Sequence, residues 1–482
     1  MKLNDKYILI LGLGETGLAC ARWCVRSGAR VRVADTRAAP PCLDELRRRV
    51  LSRRVLNRVA SADFFAGEFN TALLDGIDLV VVSPGLPGDL PLLREAAARS
   101  MPVIGEIELF ARALREMPAP PPVLAITGTN GKTTTTALTG HLLRSTGKSV
   151  GVAGNISPAA LTALTDYAEQ DALPQAWVLE LSSFQLETTT TLNPAAATVL
   201  NVSDDHLDRY ADLAAYAAVK ARIFQGDGVQ VLNRQDARVR SMAIAGRRVI
   251  SFGLDAPPGA EDFGLRRRDG ASWLVQGEQF LLPQAELPIS GLHNAANALA
   301  ALALCVSLGH TAASMLPALR SFRGLPHRVE KIAEIDGVTW YDDSKGTNVG
   351  ATVAALEGIG GQMAASDKTS DKNNPKIVLI AGGDGKGQDF SPLKMPITQH
   401  ARAVVLIGRD APVISRALTG AGVPLVAAAD MTDAVRQAAA LAQPQDAVLL
   451  SPACASFDMF RDYQHRAEVF IAAVRALQGV TP

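Results

Sequence analysis

The stretch Val123 to Leu138, VLAITGTNGKTTTTAL, decides how the rest of the chain is read. Val123 to Ile126 is a short apolar run of the length of a buried strand. It breaks into Thr127-Gly128-Thr129-Asn130-Gly131 and then Lys132-Thr133-Thr134, and a helix-like stretch with Ala137 and Leu138 follows. Strand, glycine loop, Lys-Thr and helix are the parts of a phosphate cradle. Glycines let backbone N–H groups turn toward an anion, and a helix N-terminus adds partial positive charge. Lys132 would neutralise β- and γ-phosphate charge, and the Thr133 hydroxyl would ligate Mg²⁺. The spacing departs from the common P-loop, because two residues rather than four separate Gly128 from Gly131. The plainer alternative is a glycine turn between strand and helix.

The length of 482 residues suggests about three domains of roughly 150 residues each. A hydrophobic content of 48% is ample for packed cores. With 48 basic and 48 acidic residues, no global field favours nucleic acid or an anionic membrane, and neither is an expected partner. No apolar run approaches the ~18 residues of a spanning helix. The chain goes directly into a strand-like run, Tyr7 to Leu11, with no signal-peptide pattern, so a cytoplasmic location is expected. Five cysteines, few and odd in number, suit a reducing compartment. Cys20 and Cys24 read as small core residues, since no partner ligands lie near. No internal repeat is visible.

In chain order, Tyr7 to Leu11 leads to Gly12-Leu13-Gly14-Glu15-Thr16-Gly17, a helix-like run to Arg26 and a stop at Gly28. Val31 to Ala34 is a second strand, ending in Asp35-Thr36-Arg37. This βαβ unit with G-x-G-x-x-G predicts a nucleotide diphosphate, naively NAD with Asp35 on a ribose; a ligand-free turn is the alternative. Leu79 to Val82 is another strand, closed by Ser83-Pro84-Gly85. Pro118 to Pro122 is a stiff connector, and the first boundary is set at 110/111. Trp177 to Leu181 is a strand containing Glu180, placed to bind a nucleotide's Mg²⁺ or to form a salt bridge. Ala197 to Leu200 leads to Asn201-Val202-Ser203-Asp204-Asp205-His206, and Lys220 follows on a helix-like run. Alone, His206 reads as a solvated histidine and Lys220 as a surface lysine. Asn294 and Asn297 share one helix face, where they could read a base edge or cap the helix. Phe322 to Arg328 is a linker, giving a second boundary at 324/325. The last third alternates again, with strands at Val338 to Tyr341, Lys376 to Ala381, Ala403 to Ile407 and Ala447 to Leu450. Their ends carry polar or glycine clusters, so one functional edge is expected. Ala364 to Pro375 is polar and without periodicity, and reads as a disordered surface loop.

Together these stretches resemble the Mur ligases, the ATP-dependent amino-acid-adding enzymes of peptidoglycan synthesis. GTNGKTT (Gly128–Thr134) is similar to their shortened P-loop. ELSSFQLE from Glu180, NVSDDHLDRY from Asn201, HNAANALAA from His293, GLPHR from Gly324, DDSKGTN from Asp342, GGDGK from Gly382 and SPACASFD from Ser451 follow in family order. The resemblance covers nearly the whole chain. GLGETGLA with Asp35-Thr36-Arg37 and SPG is most similar to the D-glutamate-adding branch.

The resemblance implies an α/β chain of three domains: a Rossmann-like UDP-binding domain (1–110), a central P-loop ATPase domain (111–324) and a Rossmann-like amino-acid-binding domain (325–482). It replaces NAD by the UDP of a sugar substrate, lined by Thr16, Asp35, Thr36, Arg37 and Gly85, with Asn155 and His206 also on that substrate. Gly128, Thr129, Asn130, Gly131, Lys132, Thr133 and Thr134 would hold ATP phosphates. Asn294 and Asn297 would face adenine, and Arg328 and Asp343 would reach ATP. Thr133 and Glu180 would hold one Mg²⁺; His206 and a carbamylated Lys220 would hold a second. Lys345, Thr347, Lys386, Ser456, Phe457 and Tyr463 would bind D-glutamate. Lys132, Glu180, His206, Lys220 and Lys345 form the implied catalytic set. The implied reaction adds D-glutamate to UDP-N-acetylmuramoyl-L-alanine through an acyl phosphate, in a monomer important for cell-wall growth, cell shape and division. A sibling ligase with another amino acid, a dinucleotide-binding dehydrogenase and a non-catalytic nucleotide-binding regulator are the competing readings. Glu15 is unusual beside a pyrophosphate, and its side chain is expected to point away.

Overall fold

The apolar runs fold as buried strands, and a glycine or a short polar cluster closes each one. In the computed structural model of the chain, residues 3–51, 54–55, 58–59, 62–206, 209–289, 291–366, 374–477 and 479 are described. Their strands form three large sheets, one after another along the chain.

The first sheet has the order Ala62–Ala66, Arg30–Asp35, Tyr7–Leu11, Leu79–Val82, Val103–Ile104, with every pairing parallel. Ile8 to Leu11 and Leu79 to Val82 are wholly buried, because helices cover both faces of a parallel sheet. Its first turn packs tightly. A Cβ on Gly17 would lie 1.9 Å from the carbonyl oxygen of Gly12, so the helix Glu15–Arg26 can approach the loop only through glycine.

The second sheet runs Gln279–Pro283, Ala271–Gln276, Phe263–Arg268, Val249–Phe252, Val229–Asn233, Ala196–Val199, Val123–Thr127, Ala176–Glu180, Val150–Gly154. Its core is parallel, and a hairpin pair of antiparallel strands extends one edge. The P-loop strand Val123–Thr127 lies between Ala196–Val199 and Ala176–Glu180, so the polar ends of all three converge. The third sheet runs Glu330–Ile335, Val338–Asp342, Ala447–Leu450, Ile377–Gly382, Ala401–Ile407, Leu425–Ala427, parallel except for its first pair.

The first two sheets share one hydrophobic core. Cys20, Cys24 and Val25 of the first unit pack in the same cluster as Ala160, Leu161 and Leu164 of the second. Phe110 meets Trp177 edge-on, with ring centres 5.1 Å apart. The third sheet has cores of its own on its two faces. A boundary at 110/111 would cut the helix Glu106–Arg115, whose buried face packs on the central unit. The expected surface loop at 364–375 begins too early. The helix Val349–Ser366 carries through Ala364, Ala365 and Ser366, where neither glycine nor proline interrupts it, while residues 367–373 lie outside the described residues. All five cysteines are free, with Cys20 and Cys24 buried. Among the described residues, no helix is long and apolar enough to cross a membrane.

Candidate active site

The P-loop turns between the buried strand Val123–Thr127 and the helix Lys132–Ser145. Gly131 is left-handed at φ 82°, and a Cβ there would meet Asn297 Oδ1 at 2.4 Å. The turn and the approach of Asn297 therefore both demand glycine. Lys132 Nζ donates to the carbonyls of Gly128 (2.9 Å) and Thr129 (2.8 Å). Burial lowers its pKa below the ordinary lysine value. Thr129 N donates to Asn201 O, and Asn130 N to Asn201 Oδ1, so the neighbouring strand end fixes the loop.

Glu180 ends the adjacent strand. Its Oε1 accepts from Asn155 Nδ2 at 2.8 Å, whereas its buried Oε2 has no hydrogen-bond partner. Lys220 is 1% exposed on the helix Leu213–Ala221. Its Nζ donates to Gly128 O at 2.9 Å and sits 4.4 Å from the centre of the Tyr216 ring. Burial, then the nearby Lys132 charge, pushes its pKa well below the ordinary value. Lys220 is thus no surface lysine. His206 is left-handed at φ 55°, with its Nε2 3.7 Å from Asp205 Oδ2 and its ring 4.6 Å from Phe184.

The third sheet completes the site. Asp343, Lys345, Thr347, Asn348 and Lys386 line a cavity of about 420 Å³ together with Lys132, Thr133, Glu180 and His206. Thr129, Asn130, Gly131, Thr134, Asn155, Asn294, Asn297 and Arg328 line it too. Arg328 Nη2 donates to Thr133 Oγ1 at 2.5 Å. Asp343 accepts from Ser451 Oγ at 2.7 Å, and burial raises its pKa to about 7. Asn348 Nδ2 donates to Asn130 Oδ1 (3.0 Å) and Asp205 Oδ2 (3.4 Å), tying the third sheet to the P-loop. Ser456, Phe457 and Tyr463 do not line this cavity. Ser456 is buried, Phe457 is 74% exposed, and the Tyr463 ring lies 4.1 Å from Lys345 Nζ.

A second pocket of about 320 Å³ opens at the glycine loop of the first sheet, lined by Thr16, Asp35, Thr36, Arg37 and Gly85 with Ser83, Pro84 and Leu86. Asn155, expected to touch the substrate within the central domain, lies in the larger cavity with His206. Asp35 is saturated. Oδ1 accepts from Arg37 N and Nε, and Oδ2 from Leu13 N and Arg37 Nη2. The Arg37 hydrogen bonds hold its pKa down at about 2. A carboxylate offers about four acceptor positions, so none is left for a ribose hydroxyl. Glu15 turns to the second unit, accepting from Ser157 Oγ (2.8 Å) and Ala159 N (3.1 Å).

The motifs assigned no role to Asn348, Asp205, Asn201 or Arg209. Asn348 closes the DDSKGTN stretch and Asp205 precedes His206, so adjacency to a motif was the available signal.

Comparison with known proteins finds three family descriptions in order along the chain. "Mur ligase MurD-like, N-terminal domain" matches residues 6–105, "Mur ligase middle domain" 126–305, and "Mur ligase, glutamate ligase domain" 327–454. A UDP-N-acetylmuramoylalanine–D-glutamate ligase of Aromatoleum aromaticum is 57% identical, covering 99% of both chains. One of Nitrosospira multiformis is 54% identical over 99% of this chain and 97% of its own. Among solved structures, a UDP-N-acetylmuramate–alanine ligase of Thermotoga maritima aligns with TM-score 0.60 at 21% identity over 98% of this chain and 99% of its own. A MurF ligase of the same organism, in complex with ADP, aligns with TM-score 0.59 at 16% identity over 98% and 99%.

Proposed function

The chain belongs to the Mur ligase family, and from that premise we propose that it is the ATP-dependent ligase adding D-glutamate to UDP-N-acetylmuramoyl-L-alanine. The observation that carries this reading is the single cavity in which Lys132, Glu180 and His206 of the central sheet face Lys345, Thr347 and Lys386 of the third. A phosphoryl donor and an amine acceptor need such a shared space.

The chemistry follows from charge. A carboxylate is a poor electrophile and must be activated. The γ-phosphoryl of ATP passes to the alanyl carboxylate, giving an acyl phosphate and ADP. The neutral amine of D-glutamate adds to the acyl carbon, and the tetrahedral intermediate gives up an amine proton to solvent and expels phosphate. Two anions meet in the first step, so Lys132 and Lys345 lower its barrier by neutralising them. Asn294 and Asn297 stand at the adenine end, and Arg328 and Asp343 reach the nucleotide from the linker side. Lys345, Thr347 and Lys386 receive the carboxylates of D-glutamate. Tyr463 borders that subsite through its contact with Lys345, and Ser456 and Phe457 are assigned to it by their motif alone.

The donor set suits Mg²⁺. The unpartnered Glu180 Oε2 and the Thr133 hydroxyl are hard oxygen ligands. His206 and a carbamylated Lys220 would hold a second ion, and the buried amine of Lys220 favours the neutral form that adds CO₂. When bound, the ions supply charge neutralisation at the phosphate oxygens.

The smaller pocket takes the UDP moiety, with Thr16, Thr36, Arg37 and Gly85 at the ligand and Asp35 holding Arg37 and the Leu13 amide in place. The first unit, residues 1–110 with the rest of its last helix, binds UDP-sugar; the second, to 324, binds ATP; the third, 325–482, binds the amino acid. A monomer is part of this reading, and five free cysteines fit the reducing cytoplasm, where peptidoglycan precursors are built. A phosphate-release assay with UDP-N-acetylmuramoyl-L-alanine, ATP and a panel of amino acids tests this. Release should require D-glutamate; a requirement for another amino acid would make the chain a sibling ligase.

A further inference from the structure

Arg209 follows the His206 loop, and its guanidinium joins three parts of the molecule. Nη1 donates to the carbonyls of Pro84 and Leu86, each at 3.2 Å. Both residues belong to the wall of the smaller pocket. Nη2 and Nε donate to the two oxygens of Glu187, at 2.5 and 3.2 Å. Glu187 ends the short helix Ser183–Glu187, which begins just beyond Glu180. The guanidinium also lies over the Phe184 ring, 4.1 Å from its centre, and that ring is 4.6 Å from the imidazole of His206. Tyr210 OH donates to Glu187 Oε1 at 2.6 Å, the oxygen that also accepts from Arg209 Nε.

We infer that Arg209 is a positioning residue, locking the wall of the nucleotide-sugar pocket to the helix after Glu180 and to the His206 ring. The inference rests on the ligase reading above. The substrate is anchored by UDP in one pocket and reacts at its far carboxylate in the other. The two pockets must therefore keep a fixed separation. Arg209 spans the junction with a rigid planar fork, which a lysine cannot reproduce. Its hydrogen bonds run to two carbonyls and one carboxylate, so it acts through these groups. A misplacement of about 1 Å at a reacting atom costs about a hundredfold in rate.

The test uses full-length Arg209→Ala and Arg209→Lys, with each substrate varied in turn. The expected result is a fall of about a hundredfold in kcat/KM for the UDP-sugar in Arg209→Ala, nearly as large in Arg209→Lys. KM for ATP should stay within about twofold, and calorimetric affinity for free UDP within a few-fold, because UDP occupies only one pocket. Added guanidinium ion should restore part of the Arg209→Ala activity. Phe184→Leu, which removes the stacked ring, should show the same split in milder form and serves if Arg209→Ala does not fold. Wild-type rates in Arg209→Lys, or equal losses for all three substrates in parallel with a lowered Tm, would overturn the inference. A wild-type enzyme without D-glutamate-dependent phosphate release would instead defeat the ligase reading itself.

Discussion

At the carbonyl oxygen of Gly128 two lysine side chains meet, Lys132 and Lys220, each at 2.9 Å. Two buried ammonium groups on one acceptor repel, which is the physical reason to expect only one to stay charged. Lys132 opens the helix Lys132–Ser145 and lines the cavity, whereas Lys220 is buried on the helix Leu213–Ala221. Lys132→Ala should therefore cost about 10³-fold in kcat, the order found for losing a group that stabilises transition-state charge. A kcat within tenfold of wild type would place the cradle elsewhere. Protein equilibrated with ¹³C-bicarbonate should give a carbamate carbon resonance that Lys220→Ala lacks. An unchanged spectrum in that variant would remove the carbamate. The phosphate-loop residues were legible in the sequence because four or five neighbours spell the motif. Asn348 and Arg209 were not, because their partners lie 218 and 125 residues away, and only folding brings them together.

Strands were legible for a different reason. Buried parallel strands are continuous apolar runs, so Tyr7–Leu11, Leu79–Val82 and Ala447–Leu450 match their expected ends, and others differ by a residue or two. The helix Glu106–Arg115 was not legible as a bridge, since its burial by two units depends on tertiary packing. Glu106, at its start, accepts from Leu161 N at 2.6 Å at the start of Ala160–Glu169, while its other oxygen has no partner. Burial, with Glu15 adding to it, raises its pKa from 4.5 to about 7. A raised carboxyl pKa contributes stability that is complete below the ordinary value and is lost as pH rises through the folded value. The loss amounts to about 3 kcal/mol at most between these limits. Glu106→Gln keeps the acceptor for Leu161. It should therefore lose less Tm than wild type between pH 5 and pH 8. Parallel Tm curves would show that Glu106 does not titrate in this window.

Across the whole molecule, the first two units share a core, whereas the third reaches the P-loop through Asn348 and Arg328. In the proposed reaction, closure of the third unit against the other two would bring amino acid to acyl phosphate and exclude water. Asn348 makes two polar contacts across the junction. At about 1 kcal/mol each, Asn348→Ala should lower kcat/KM for D-glutamate roughly tenfold or more. KM for the UDP-sugar, held by the other two units, should change little. An equal rise in both KM values would argue against a closing role. In the proposed reaction, ATP activates the alanyl carboxylate for attack by D-glutamate. Substrate with ¹⁸O at both oxygens of that carboxylate, followed by mass analysis of the phosphate released, reports this step. In transfer through an acyl phosphate, the oxygen that attacks phosphorus leaves with it. Each phosphate should carry one ¹⁸O, and the product should be extended by one D-glutamyl residue. Unlabelled phosphate would contradict it.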